Sequence, residues 1–373
     1  MSQPQTRSRS SSSQGLRELQ QELNESRREV QSLRERLANT TNSGGSQTSP
    51  SAAQSSQEEP RAEGTTDSGA ALEQARMYVR KYTTLYMLWC RLPSSMFPNG
   101  PALDDYSPTD RFKNDDTKVQ GQLDDFNEMF PPALVPITKE SWWVPVFKAA
   151  SSQQRSNLQG RVRRAAGTAI FGCTEDDLKS SEARRERFGA LIGLPAAETN
   201  PEDHDHFNIE VLHEPYHGKM DTRTIFLNPR LIKTLSAVLR GPQSIKTPDG
   251  RLSTMPGADT VCSKWAVTHT TPGAIAMACV LTRWAASPDV QFHEHGLESH
   301  IDWQAAFEGY LQYLNDGLLK EKSSVRNIFR TWDEALFPNS TTRHGQRPGT
   351  SRGHREDVNG ALALLNAEED EEM

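Results

Sequence analysis

The stretch NPRLIKTLSAVLRGP, residues 228–242, specifies one complete helix and sets the fold class of the chain. Asn228 is a good N-cap, and Pro229 fits the first helical position, where its missing N–H costs nothing. Gly241 followed by Pro242 predicts the end of the helix. The buried face is predicted from five large apolar residues at helical spacing: Leu231, Ile232, Leu235, Val238 and Leu239.

Similar helical patterns lie on both sides of this stretch. An aromatic stripe predicts a helix over 70–92. Capped or amphipathic segments predict further helices over 119–130, 152–168, 174–188, 272–286, 300–316 and 324–336. Residues 207–211 come nearest to strand-like alternation, so at most one short strand pair is expected. The sequence therefore predicts an all-α fold, an irregular multi-helix domain over residues 70–338.

The segment before this domain divides into three predicted parts. Residues 1–15 are rich in Ser, Gln and Arg, and residues 40–69 contain no large apolar residue, so both are expected to be disordered. Residues 16–39 predict a coiled-coil helix, because the a and d positions of a heptad repeat are mostly apolar. These positions are Leu16, Leu19, Leu23, Ser26, Val30, Leu33 and Leu37. A homodimer through Leu16–Leu37 is one prediction, and a single helix packed on the protein's own domain is the alternative.

The remaining composition limits the partners and the compartment. Residues 339–373 are basic and then acidic, and are expected to form a disordered tail. A net charge of −7 argues against bulk attraction to nucleic acid or to an anionic membrane. No apolar stretch approaches the length of a membrane span, and no secretory signal is visible. The four cysteines lie in apolar segments, as reduced thiols do. An intracellular location follows, with cytoplasm and nucleus left open.

A cluster of histidines is the main candidate for a metal site. Its members are His204, His206, His213 and His217. Residues 213–217 read HEPYH, the letters of the zinc-protease motif, in which both histidines must share one helical face. Pro215 disfavours that helix, and no glutamate between 218 and 240 can serve as a third ligand. A zinc-binding protein or hydrolase built on this cluster is therefore an alternative to a solvated polar loop.

A group of arginines is the candidate for a nucleic-acid surface. It contains Arg161, Arg163, Arg164, Arg184, Arg185 and Arg187. Acidic residues are interspersed in the second part of the group, so a solvated helix face competes with the basic surface. Phosphate-binding loops, dinucleotide fingerprints and nucleophile-elbow motifs are absent from the sequence. No cofactor is predicted.

Four segments of the second half resemble a known family. They read IFLNPRLIKTLSAVLRGPQSI (225–245), TPGAIAMACVLTRWAASPDVQF (271–292), IDWQAAFEGYLQYL (301–314) and IFRTWDEALFP (328–338). The pattern is similar to that of domain of unknown function 6698 (DUF6698), a family of basidiomycete fungi. The resemblance covers roughly residues 75–338 and is best after 222. It implies a fungal origin and brings no known activity and no functional residues.

The sequence thus favours a binding protein over an enzyme. The first prediction is a non-catalytic protein-binding or scaffold module with an unidentified protein partner. The zinc-binding protein or hydrolase using the His204–His217 cluster and the nucleic-acid-associated factor are the alternatives.

Overall fold

The computed structural model of the chain is built from helices and loops. It describes residues 65–90, 93–97, 100–101, 103–194, 205–246, 252–253 and 259–338. Within these ranges there are twelve α-helices and no β-strand, only two isolated bridges, His213 with Ile225 and His295 with Asp302. The predicted all-α class is confirmed. Where residues 207–211 suggest a strand, the chain forms the 3-10 turn Glu210–Leu212 instead.

The helices are numbered here in chain order. The first seven are α1 (Thr65–Leu85), α2 (Pro93–Met96), α3 (Asp115–Met129), α4 (Trp143–Gln159), α5 (Gly167–Phe171), α6 (Glu175–Lys179) and α7 (Ser181–Phe188). The other five are α8 (Pro229–Arg240), α9 (Val261–Lys264), α10 (Pro272–Ala286), α11 (Trp303–Leu319) and α12 (Ser323–Leu336). None of these helices has the length and apolar character that crossing a membrane requires.

Several predicted segments lie outside the described residues. These are residues 1–15, the heptad helix 16–39, most of the linker 40–69 and the tail 339–373. Their disorder and their coiled coil stay predictions.

The centre of the domain is α10, which is buried from Gly273 to Ala286. It packs against α1, α8 and α11. Its small residues permit close approach, since a Cβ at Gly273 would overlap the backbone of Tyr86. An apolar helix without a polar face must be covered on all sides. Helices α1, α8 and α11 therefore pack around α10.

The ends of α8 agree with their sequence signals. Asn228 accepts a hydrogen bond from the Arg230 amide, and Gly241 ends the helix at a φ of 93°. By contrast, the helix predicted over 70–92 ends at Leu85. The chain turns there because the backbone of Tyr86 packs on Gly273 and the Thr271 hydroxyl donates to the Leu85 carbonyl.

The helix predicted over 152–168 is longer and irregular. It begins as α4, continues as a π-helix over Gly160–Ala166 and ends in α5. Gly172, with a φ of 63°, stops it in the left-handed conformation that favours glycine. The π-helix carries Arg161 and Arg163, whose guanidinium groups reach the ends of other helices.

Candidate functional site

A concave feature of the described residues is a cleft of about 1410 Å³. It lies between α3, the N-terminal end of α10, α11 and α12. Its floor is formed by Leu311, Leu318 and Phe329. Pockets for small ligands usually enclose about 300–1,000 Å³. The cleft is open and larger than that, so it has room for a segment of another chain.

One wall of the cleft is the acidic face of α3, which consists of Asp124, Asp125 and Glu128. Residues three and four apart lie on one side of a helix, while Val119 and Phe126 on the opposite side are buried in the core. The capping box of Asn114 and Thr117 begins this helix and fixes its register. The three carboxylates are therefore held on a rigid element.

The carboxylates of this face differ in their partners. Asp125 forms a bidentate ion pair with the buried Arg111, with an Nη1–Oδ1 distance of 2.9 Å for the longer contact. Asp124 accepts a hydrogen bond of 2.9 Å from Gln120 Nε2, and partial burial raises the pKa of its carboxyl. Neither Asp124 nor Glu128 forms an ion pair with a cation of the described residues. Two carboxylates thus face the cleft without an ion-pair partner among the described residues.

Two tyrosines flank the acidic face. Burial raises the pKa of Tyr86 to about 12, with a further contribution from Glu128, and raises the pKa of Tyr106 to about 12. Both hydroxyls are therefore neutral at physiological pH, and neither hydrogen-bonds to another residue in the described ranges. Gly121 permits this arrangement, because a Cβ there would lie 2.8 Å from the Tyr106 hydroxyl.

The opposite wall is formed by α12. Arg326 pairs with Glu321 at 2.7 Å, and Arg330 donates to Asn327 Oδ1 at 2.6 Å. Counted over the whole lining, five carboxylates face three arginines: Asp124, Asp125, Glu128, Glu321 and Asp333 against Arg111, Arg326 and Arg330. The cleft is therefore net negative.

Two polar groups lie near the floor of the cleft. Asp333 is buried and accepts hydrogen bonds from the Thr270 amide at 2.7 Å and its hydroxyl at 2.8 Å, next to the start of α10. Asn315 lies between Leu311 and Leu318 on α11. Its Nδ2 atom is buried and has no hydrogen-bond partner within the described part of the chain.

The predicted histidine cluster does not converge on one point. His213 is buried, and its two ring nitrogens are occupied, with Nε2 2.9 Å from the Phe207 carbonyl and Nδ1 3.0 Å from the Thr224 hydroxyl. Since a carbonyl only accepts, Nε2 carries the proton and donates. Burial lowers the pKa of His213, which keeps it neutral. His217 is exposed, on a segment that is not helical.

This geometry leaves fewer of the four histidines as candidate metal ligands. His206 is buried, and His204 lies outside the described residues. Among the residues that are described, no three His, Cys, Asp or Glu side chains form a metal-binding group. In this conformation His213 cannot be a ligand, because both of its nitrogens already have partners. A metal site that includes His204 stays a prediction.

The predicted arginine surface is divided between the interior and the solvent. Arg163 lies over the Trp284 ring at 3.7 Å and donates to the carbonyls of Ala285 at 3.0 Å and Asp289 at 2.6 Å. Arg184 is buried and donates to the Ser287 carbonyl at 2.6 Å.

Arg161 also points inward, and donates to the Val238 carbonyl at 2.6 Å. These three side chains bind the C-terminal ends of α8 and α10, where partial negative charge favours cations. Only Arg164, Arg185 and Arg187 of the predicted group are exposed. Neither a continuous basic surface nor a fully solvated helix face describes the group.

The cleft escaped sequence analysis because its residues come from distant segments. Tyr86 and Asp333 are near opposite ends of the domain in the sequence, although both line the cleft. The one local signal is the spacing of Asp124 and Glu128 on a helix whose other side is apolar. That spacing is also common on solvated helix faces.

Comparison with known proteins assigns a family to part of the chain. Residues 206–337 match the model described as Family of unknown function (DUF6698). The resemblance read from the sequence is thereby confirmed for this part, which contains the floor of the cleft and its α12 wall, while the acidic face of α3 lies outside it. No curated protein and no solved structure matches the chain.

Proposed function

We propose that this protein is a non-catalytic protein-binding module and that its cleft receives a segment of a partner protein. The observation that carries the proposal is the cleft itself, which is preformed, open and about 1410 Å³ in volume. Its apolar floor would be covered by a partner's side chains.

Four titratable groups of the cleft, two tyrosines and two aspartates, suit binding better than catalysis. General acids and bases need pKa values near the working pH, whereas Tyr86 and Tyr106 have pKa values of about 12. Asp125 is committed to Arg111, and Asp333 to Thr270. The lining thus offers shape, apolar surface and fixed charge, which are the properties of a recognition site.

The partner class can be tested by peptide selection on the full chain. A display library of random short peptides would be selected on the immobilised protein, and the enriched peptides measured by fluorescence anisotropy. We expect Leu318→Asn to weaken their binding about tenfold or more, because a polar amide on the floor must be desolvated under the peptide. Val290→Asn is the control, since Val290 is exposed and lies outside the cleft.

Melting curves would show that both variants are folded. Equal binding by wild type and Leu318→Asn would place the peptides elsewhere and overturn the proposal. Failure to enrich any peptide would overturn it as well.

A further inference from the structure

We infer that the partner segment is cationic and that one of its lysine or arginine side chains lies against the acidic face of α3, between Tyr86 and Tyr106. This inference rests on the proposed function and specifies the chemistry of the partner. It follows from the charge balance of the cleft, the position of the two aromatic rings and the state of the opposite wall.

The carboxylates of the acidic face of α3 are only partly paired with cations. Arg111 compensates Asp125 and is buried beneath it. Asp124 and Glu128 lie one helical turn apart on the same side of α3, and no cation of the described residues pairs with them. An anionic segment placed there would meet two like charges at close range. A lysine or arginine would form charge-assisted hydrogen bonds with both carboxylates.

The aromatic rings favour the same ligand. Tyr86 and Tyr106 line the same cleft as Asp124 and Glu128. Aromatic rings attract ammonium and guanidinium groups, so the two tyrosines add to the attraction of the carboxylates for a cation in the cleft. Because both phenols stay neutral, their hydroxyl oxygens can accept further hydrogen bonds from the same cation.

Both arginines of the opposite wall have a carboxylate partner. Arg326 pairs with Glu321 at 2.7 Å, and Arg330 pairs with Glu334 at 3.9 Å and donates a hydrogen bond to the neutral Asn327 Oδ1. A basic side chain facing α3 is therefore opposed by groups that already have partners. The rest of the segment would cover Leu318.

The test compares two peptide libraries on the full chain. In one library the central residue is arginine or lysine, in the other it is glutamate, and all other positions are random. We expect enrichment from the cationic library alone. The double variant Asp124→Asn, Glu128→Gln should bind the enriched peptides about tenfold more weakly, and salt should weaken the wild-type complex.

A second double variant, Glu175→Gln, Asp176→Asn, controls for net charge. It removes the same two charges from exposed positions on α6, and we expect unchanged binding. Tyr106→Leu adds a test of the aromatic contribution and should weaken binding of the cationic peptides without unfolding the protein.

The outcomes separate this inference from the proposed function. Peptides that lose affinity with Leu318→Asn but not with the α3 double variant would support a binding cleft and overturn its cationic ligand. Equal losses of peptide affinity in the two double variants would show that the effect comes from the net charge of the protein. This result would overturn the inference too. Enrichment of the glutamate library would have the same consequence.

Discussion

His213 is the residue on which the zinc-protease motif depends, and the fold uses it as a buried connector. Its ring joins the Phe207 carbonyl to the Thr224 hydroxyl, and its backbone carbonyl accepts a hydrogen bond from Asn228 Nδ2 at 3.1 Å. Asn228 also caps α8. One histidine thus fixes the loop that leads into the helix most clearly specified by the sequence.

A neutral buried imidazole makes stability depend on pH. Burial lowers the pKa of His213 from its ordinary 6.5. Below that pH the unfolded chain takes up a proton that the folded chain does not, so the free energy of unfolding decreases as the pH falls through this range. We expect the urea midpoint of the wild type to fall between about pH 7.5 and about pH 5.5, and to fall less for His213→Gln, which keeps a donor and an acceptor. Parallel pH curves for the two proteins would contradict this account.

The arginines of the π-helix provide a second comparison between single residues. Arg163→Ala removes the cation from the C-terminal end of α10 and leaves its carbonyls unsatisfied, so we expect a loss of about 2–4 kcal/mol in the free energy of unfolding. Arg164→Ala, at the exposed neighbouring position, should change it by less than about 0.5 kcal/mol. Denaturant unfolding of both variants measures the difference, and similar values would show that the buried contacts contribute little.

Sequence analysis could not separate these two residues. Both are arginines in one basic run, and the carbonyls that Arg163 binds lie more than a hundred residues further along the chain. Pairing over such distances leaves no local pattern. The same applies to Arg184, whose partner Ser287 is 103 residues away, and to Arg161, whose partner Val238 is 77 residues away.

At the scale of elements, the sequence predicts a helix end well when residues close to that end determine it. The bounds of α8 follow from Asn228, Pro229 and Gly241 because each acts on its own turn of helix. The end of α1 does not, since it depends on the packing of Tyr86 against Gly273. The π-helix over Gly160–Ala166 is likewise stabilised by distant contacts, and helical periodicity alone predicts an ordinary helix there.

Close approach at α10 can be tested with one type of substitution at two sites. Gly273→Ala would place a Cβ against the backbone of Tyr86, and we expect a loss of about 1–3 kcal/mol. Gly69→Ala in α1 meets no atom within 4 Å and should stabilise the helix by about 0.5–1 kcal/mol. Thermal unfolding gives both values. A shift of the same sign in both variants would argue against tight packing at α10.

At the scale of the whole molecule, the fold class was predictable and the cleft was not. Periodicity and caps indicate helices whatever their arrangement. The cleft exists only because α3, α10, α11 and α12 meet, and its lining extends from Tyr86 to Asp333. The acidic face of α3, read alone, is indistinguishable from a solvated surface.

The heptad repeat of residues 16–39 concerns the assembly as a whole. If these residues form the predicted homodimer, each particle carries two clefts, and a partner with two binding segments gains avidity. We expect deletion of residues 1–40 to halve the mass measured by light scattering. An unchanged mass would remove the homodimer and favour a helix packed on its own domain.

Because α10 is fully buried, a truncated protein must keep the segments that cover this helix. The family match begins at residue 206, yet the C-terminal carbonyls of α10 are bound by Arg163 and Arg184, and its first turn rests on Tyr86. A recombinant fragment limited to residues 206–337 would lack the upstream residues that contact α10. It would expose the apolar surface of this helix and should aggregate. Productive truncations therefore have to retain the polypeptide from the beginning of α1.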